Sequence, residues 1–322
     1  MASRIFYANG AKIQTDRSQA LVSIGFDIGD TLTFTGRHCP PKITSLEFSM
    51  TQDRNPQAEQ MGDESMVRNL AYQADAIWPQ EKHLFDRYTL SGTIKILDVG
   101  CGTGEITRRL AGLYPQAAIE GMDILESNLV FARRDNGEFS DRVSYEQGDA
   151  FALKNDDASF DLLVCRHMSQ SVPDFNLVLA EFTRVLKPGG VLHLLSEDYG
   201  MLHFPVTALD PDQFWNEHAV KFLHSIRCDG RIGRHSPSLL QQAGYQNIAM
   251  DYITVDTLRV PRPTFAGIIR SWRDGYLNVL AKASGRTIDA VTADMDQLIY
   301  AIETPPNYAV WHVPVISGRK PL

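Results

Sequence analysis

The sequence predicts an α/β domain: a doubly wound, mostly parallel sheet of seven strands with a helical cap. Three observations carry that expectation. From Ile94 onward, short apolar runs alternate with helical patterns, the signature of a parallel sheet with right-handed crossovers. The first of these runs breaks on three alternate glycines and passes at once into a helix, in "KILDVGCGTGEITRRL" at residues 95–110. Two later runs each end on an aspartate, Asp123 and Asp149.

The elements follow in order. Residues 1–62 read as an N-terminal extension. Disorder is consistent with its pattern, and for the first 49 residues a short hairpin or a start-site artefact is as well. It shows some alternation in "ALVSIGFDIG" and then a polar linker, "TQDRNPQAEQMGDES". Helical periodicity starts near Glu64, where Met66, Leu70, Ala71, Ala74, Ile77 and Trp78 share a face; Pro79 is expected to interrupt it before a second piece, "QEKHLFDRYTL". Strands are expected at 94–99, 117–122, 142–146, 160–165 and 190–196, with helices at 104–113, 126–136 and 173–186 between them. "KPGG" (187–190) reads as the turn that ends the last of these helices. Beyond residue 200 a helix is expected at 210–225 and a short one in "SPSLLQQAG" (236–244), with Ser236 as N-cap, Pro237 in the first turn and Gly244 at the end. A strand at 247–256, helices at 264–283 and 288–302, and a strand near 308–315 marked by Pro314 complete the chain. No repeats are seen.

Composition narrows the function classes. The chain has 322 residues, 43% hydrophobic and 22% charged, enough to bury a core without staples. Net charge is −8 and the pI about 5.6, which disfavours a nucleic-acid or anionic-membrane partner. Cys39, Cys101, Cys165 and Cys228 are far apart and form no CxxC pair, so neither a metal site nor a disulfide framework is expected, and a reducing, cytoplasmic setting is. No apolar run approaches the ~18 residues of a membrane span. The first residues lack the apolar core of a secretory signal. Monomer and homodimer both stay open.

A strand that ends in glycines and leads into a helix brings bare backbone close to a bulky ligand, with free N–H groups at the helix start. In "GCGTG" the third glycine comes two places on, whereas the dinucleotide fingerprint has it three places on; no Gly-Lys-Ser/Thr ending is present either. The pattern therefore points to a nucleoside-bearing ligand without a pyrophosphate. Asp123, 25 residues after Asp98, ends "AIEGMD" where a carboxylate can accept from two ribose hydroxyls. Asp149 in "YEQGDAFAL" suits an adenine amino group, with Ala150 and Phe151 beside the ring.

Together with "FDLLVCRHM" (160–168) and "RVLKPGGVLHL" (184–194), these stretches resemble the class I S-adenosylmethionine-dependent methyltransferases, over about residues 64–256. The small-molecule branch is nearest, similar to ubiquinone/menaquinone-biosynthesis and secondary-metabolite enzymes; "CDGRIGRHSPSLLQQAGY" (228–245) is also similar to a segment of that branch. The resemblance implies a Rossmann-like methyltransferase domain over 63–322, with S-adenosyl-L-methionine as cofactor and cap helices at 64–91, 205–225 and 257–303. It implies that Gly100, Cys101 and Gly102 face the methionine part and that Asp98 supports their loop. Asp123 would take the ribose hydroxyls with Ile124 on adenine, Asp149 and Ala150 would contact adenine, and Arg166 and His167 would lie near the methionine end and the substrate. The Asn/Asp-Pro-Pro-aromatic motif of many amide and adenine N-methyltransferases is absent from "CRHM", which disfavours bases and protein glutamine as acceptors.

Methyl transfer from a sulfonium needs alignment and exclusion of water; a base is needed only when the nucleophile must lose a proton. His167 and His203 are the candidate catalytic residues, each with an ordinary packed or solvent-facing histidine as the alternative. Glu197, Asp198, Tyr199 and His203 cluster after the fifth strand as a candidate substrate wall. Tyr72 and Gln73 are placed to close over the cofactor, and Trp78 reads as core. Phe265, Ile269, Trp272, Tyr276 and Leu280 recur at helical spacing in an insertion (257–307) that reads as packing or as a lid. O-, N-, S- and C-methylation all stay open. So do a non-methylating reaction on the same fold and a regulatory cofactor binder.

Overall fold

A computed structural model describes residues 4–8, 11–16, 21–25, 31–34, 54–205 and 208–322. The chain divides into two compact units, Met1–Gln52 and Asp53–Leu322. In the first, β1 (Arg4–Ala8), β2 (Ala11–Asp16), β3 (Leu21–Gly25) and β4 (Thr31–Phe34) form an antiparallel meander in chain order. That is more sheet than the single short hairpin among the expectations. The rest of the expected extension, up to residue 53, lies outside the described residues apart from those strands.

The second unit opens with α1 (Ala58–Met61) and α2 (Glu64–Glu81). Asp63 caps α2 by accepting from the Ser65 amide at 2.9 Å. Pro79 does not stop this helix, which runs to Glu81 and tightens into a 3-10 segment, Lys82–Tyr88. The missing amide costs one backbone bond near the helix end, and the burial of Ile77 and Glu81 on the same face holds the turn in place.

The main sheet runs β7–β6–β5–β8–β9–β12, with β11 on the far edge of β12. Its strands are β5 (Lys95–Val99), β6 (Ala118–Asp123), β7 (Val143–Gln147), β8 (Phe160–Arg166), β9 (Leu186–Leu195), β11 (Gln246–Asp256) and β12 (Val310–Arg319). The first five pair in parallel, and β12 is antiparallel to both neighbours. An eighth, two-residue strand, β10 (Leu202–His203), pairs with β12 at Leu202–Trp311. The seven expected strands are all present; β10 was not foreseen.

α3 (Glu105–Leu113), α4 (Glu126–Asp135) and α5 (Phe175–Val185) are the crossovers. Period-two alternation sorts β5 between the two layers. Ile96 packs with Ile106, Leu110 and Leu129 on one face, while Leu97 and Val99 pack with Val178, Phe182 and Leu240 on the other.

Three local signals were overridden by tertiary pairing. "KPGG" is not a helix-ending turn: α5 stops at Val185 and the next residue already belongs to β9. The Gly189 amide donates to the Lys320 carbonyl, and the Lys320 amide to that of Gly190, so the segment is held by the chain beyond β12. The helix expected at 236–244 is α8 (Ile232–Gln242), which starts a turn earlier. Ser236 is therefore not its cap; its hydroxyl donates back to the Ile232 carbonyl at 2.8 Å. Gly244 does end it, at φ 83, with the Tyr245 amide on the Leu240 carbonyl. Pro314 lies inside β12 opposite Tyr252. An amide and carbonyl of one antiparallel residue face the same edge. The Pro314 carbonyl accepts from Ser196, just past the end of β9, so the missing amide falls where the neighbouring strand has run out.

The helix expected at 210–225 is broken into α6 (Pro211–Phe214), a π turn (Trp215–Ala219) and α7 (Val220–Ser225). α9 (Arg262–Ser284) and α10 (Ile288–Glu303) fill the insertion. α9 lies against α2 so closely that a Cβ on Gly267 would sit 2.7 Å from the Tyr72 ring. Among the described residues no helix is long and apolar enough to cross a membrane.

Candidate active site

The carboxyl ends of β5, β6, β8 and β9 open onto one cavity of about 1260 Å³ that widens to solvent. Its floor is the glycine turn. Gly100, Gly102 and Gly104 have φ of 73°, 55° and 78°, a left-handed run that L side chains rarely adopt. The Gly100 and Cys101 amides both donate to the Met122 carbonyl, at 2.7 and 3.0 Å, which ties the turn to β6. A Cβ on Gly104 would lie 2.4 Å from Asn136 Nδ2 and 2.6 Å from the Tyr145 hydroxyl. Asp98 supports the turn from below: it is buried and accepts from the Thr107 hydroxyl at 2.7 Å. Burial raises its pKa to about 6. It does not reach the cavity wall. Neither does Cys101, which is buried, its thiol pushed well up by desolvation.

Asp123 ends β6 in the wall itself. Its Oδ2 accepts from the Gly102 amide at 2.8 Å and its Oδ1 from the Leu125 amide at 2.9 Å. Desolvation raises its pKa and the two amides oppose that rise. A carboxylate has about four acceptor positions, so two remain for a ligand. Ile124, Ala150 and Met122 line the cavity as well and give it apolar surface. Asp149 is not brought to this wall. It is half-buried, and its Oδ1 accepts from the Phe151 amide at 3.0 Å, closing its own turn.

Arg166 ends β8 in the cavity wall. Its Nε donates to Oε1 of Glu81 at 2.8 Å, and both side chains are buried. His193 Nε2 sits 3.0 Å from the same oxygen, and the Tyr88 hydroxyl lies 2.7 Å from His193 Nδ1. Burial works against the Glu81 charge, but Arg166 and His193 hold its pKa down to about 2. Arg166 keeps Nη2 buried with no protein partner.

His167 follows at φ 53, a conformation uncommon for any residue but glycine. Its Nδ1 lies 2.7 Å from Oε1 of Glu197; the two side chains are 8% and 3% exposed. Desolvation lowers the His167 pKa against the pull of Glu197. His167 Nε2 and Glu197 Oε2 are buried without partners. His203, the other candidate, is not brought here. It is half exposed on the edge strand β10, 3.3 Å from Asp212.

Of the expected substrate wall, Glu197 and Tyr199 line the cavity, whereas Asp198 is turned away into a bidentate pair with Arg234. Gln73 lines it too; Tyr72 packs against α9 instead, and Trp78 is half-buried, packed on the core's edge 5.7 Å from Phe85. From the insertion, Trp272, Tyr276 and Leu280 reach the cavity, while Phe265 and Ile269 are buried in the packing beneath. Tyr199, Trp215 and Trp272 form one aromatic cluster with ring centroids 5.6–5.9 Å apart. Sequence reasoning missed Asn55, Gln57 and Met61 because their polar stretch reads as a linker. It also missed Asn128 and Gln170, ordinary polar residues on local pattern.

The wall thus offers a carboxylate, apolar side chains, a bare glycine turn, a cation and several unpartnered buried polar atoms. Among the described residues no cluster of His, Cys, Asp and Glu could hold a metal ion.

Residues 90–231 match the family described as "Methyltransferase domain". Demethylmenaquinone methyltransferase of Deinococcus radiodurans is 40% identical over 101 residues, 31% of this chain and 42% of that protein. Methyltransferase GfsG of Streptomyces halstedii is 35% identical over 133 residues, 40% of this chain and 46% of that one. The chain therefore spans less than half the length of these curated relatives. In fold it is similar to Haemonchus contortus phosphoethanolamine N-methyltransferase 2, solved with phosphomonomethylethanolamine and S-adenosylhomocysteine: TM-score 0.52 and 17% identity, over 82% of this chain and 60% of that one.

Proposed function

We propose that this chain, which carries a methyltransferase domain at residues 90–231, transfers a methyl group from S-adenosyl-L-methionine to a small-molecule acceptor. One observation carries the reading: Asp123 accepts from the Gly102 amide and still has free acceptor positions in the cavity wall. A carboxylate held by the glycine turn is a fixed partner for a ribose diol.

The residues present fit that cofactor. Asp123 would hold the ribose, with Ile124 and Ala150 on the adenine faces. Gly100 and Gly102 would let the chain approach the methionine part, where Arg166 Nη2 is ready for a carboxylate. Cys101 and Asp98 act from behind, as packing and as support of the turn. When bound, the cofactor supplies an electrophilic methyl group on a sulfonium. The protein's part is to align the acceptor with that methyl and to exclude water. Exclusion falls to the cap segments 64–91, 205–225 and 257–303, whose Gln73, Trp215, Phe222, Trp272 and Tyr276 line the cavity.

The aromatic wall favours an apolar or aromatic acceptor, and the relative named demethylmenaquinone methyltransferase is compatible with quinone-like chemistry. The test is calorimetric titration with S-adenosyl-L-methionine, followed by an acceptor screen read as S-adenosylhomocysteine formed. Binding with turnover supports the reading; a folded protein that binds no cofactor overturns it.

A further inference from the structure

We infer that His167 and Glu197 form a base that takes a proton from the acceptor, and that the acceptor is an acidic hydroxyl, a phenol or enol, carried on a flat apolar ring. This rests on the methyl-transfer reading above and names its substrate class.

The geometry leaves His167 one job. Glu197 Oε1 lies 2.7 Å from Nδ1, so the carboxylate accepts a hydrogen bond from Nδ1–H and leaves the lone pair on Nε2. Nε2 is buried and has no protein partner, although its ring lies in the cavity wall. The ring is held from several sides. The His167 amide donates to the Leu195 carbonyl at 3.0 Å, and its carbonyl accepts from Gln170 Nε2 at 2.7 Å. Gln73 on α2 reaches the same Glu197 oxygen at 3.5 Å, and the Trp311 ring lies 6.0 Å away on β12. A strained backbone locked in this way is costly to maintain as mere packing. Burial also favours the neutral imidazole, the form that can accept.

Chemistry then selects the acceptor. A neutral amine attacks through its lone pair and needs no base beforehand. A hydroxyl oxygen is a poor nucleophile until its proton leaves. In the step, the O–H proton passes to Nε2 and the oxygen pair forms the new O–CH₃ bond. The broken S–CH₃ bond leaves its pair on sulfur, and the imidazolium, paired with Glu197, later releases its proton to solvent. The rest of the wall suits a ring: Tyr199, Trp215, Trp272 and Tyr276 line the same cavity, the first three as one aromatic cluster.

The test uses the full chain with saturating S-adenosylhomocysteine and two probes of one ring, 2-naphthol and 2-naphthylmethylamine. Variants are His167→Asn, chosen because asparagine tolerates the left-handed backbone at φ 53, and Glu197→Gln. 2-Naphthol should bind the wild type at least about tenfold tighter than the amine, and should lose at least about tenfold in both variants while S-adenosylhomocysteine affinity stays. Nitrogen-15 NMR of labelled histidine should show His167 as the Nδ1–H tautomer with bare Nε2 at neutral pH, and a changed tautomer ratio in Glu197→Gln. Tighter binding of the amine, no binding of either probe, equal naphthol affinity in the variants, or a protonated Nε2 overturns the base. Failure to bind S-adenosylhomocysteine overturns the methyl-transfer reading as well, which separates the two.

Discussion

The guanidinium of Arg166 is anchored 2.8 Å from Glu81, and the carboxylate it pairs with sits in the last turn of a cap helix, fully buried. The pair pins α2 to the end of β8, where it also sets the direction of Arg166 in the cavity wall. Removing one member leaves the other charge buried and alone. Glu81→Ala should therefore lower the unfolding free energy by about 3–5 kcal/mol, read by urea denaturation. The loss of a surface glutamate would cost under about 1 kcal/mol, and a value in that range would contradict the pair.

Acid sensitivity follows from the same residue. The folded Glu81 pKa is held down to about 2 against an ordinary value of 4.5. A depressed carboxylate contributes stability that is complete above its unfolded pKa and is lost as pH falls toward the folded one. Asp98 acts oppositely: its folded pKa is raised to about 6, so its contribution declines as pH rises through the range from 3.8 to about 6. The stability difference between wild type and Glu81→Gln isolates the first effect. It should shrink as pH falls from about 4.5 toward 2; a difference independent of pH there would contradict the assignment.

Gly104 has φ 78 and no room for a methyl group beside Asn136 and the Tyr145 hydroxyl. Gly104→Ala combines backbone strain of about 1–3 kcal/mol with displacement of both side chains. Its melting temperature should fall. Gly112→Ala, on the open face of α3 with nothing near its Cβ, should leave stability equal or higher by up to about 1 kcal/mol.

The rate of methyl transfer to a hydroxyl acceptor should rise with pH through one ionisation on the acid side. Its midpoint should lie below the 6.5 of an ordinary histidine, because burial lowers the His167 pKa. Glu197 pulls that value up, as does Glu81 from α2, while Arg166 pushes it down; Trp311 beside the ring and Gln73 on Glu197 do not titrate in this range. Glu197→Gln removes an upward pull, so the midpoint should move further down and kcat should fall. A midpoint above 6.5, or one unmoved by Glu197→Gln, would contradict the assignment.

Much of this was legible from local pattern. Parallel strands buried on both faces read as apolar runs, and two that open onto the cavity end on glycine or aspartate, so β5, β6 and Asp123 stood out. What escaped was set by residues distant in sequence. "KPGG" becomes strand because Lys320 pairs with it, and α8 starts before Ser236 because Gly233 packs under Ser196 and Pro314. Asp149 carried the right residue type at a strand end but spends its Oδ1 on its own turn. Glu81 looked like any helix-surface glutamate, and Gln57 like linker; no local signal marks a polar residue that tertiary packing will bury. His203 failed for the converse reason, since proximity in sequence to the fifth strand does not bring it to that strand's end.

Everything proposed for the site depends on cofactor binding through Asp123. Calorimetric titration of the full chain with S-adenosyl-L-methionine, beside Asp123→Ala, tests it most directly. Saturable binding by the wild type, weakened at least tenfold in the variant, about 1.4 kcal/mol, is the expected result. Equal affinity in both proteins, or no binding by a folded wild type, would contradict it.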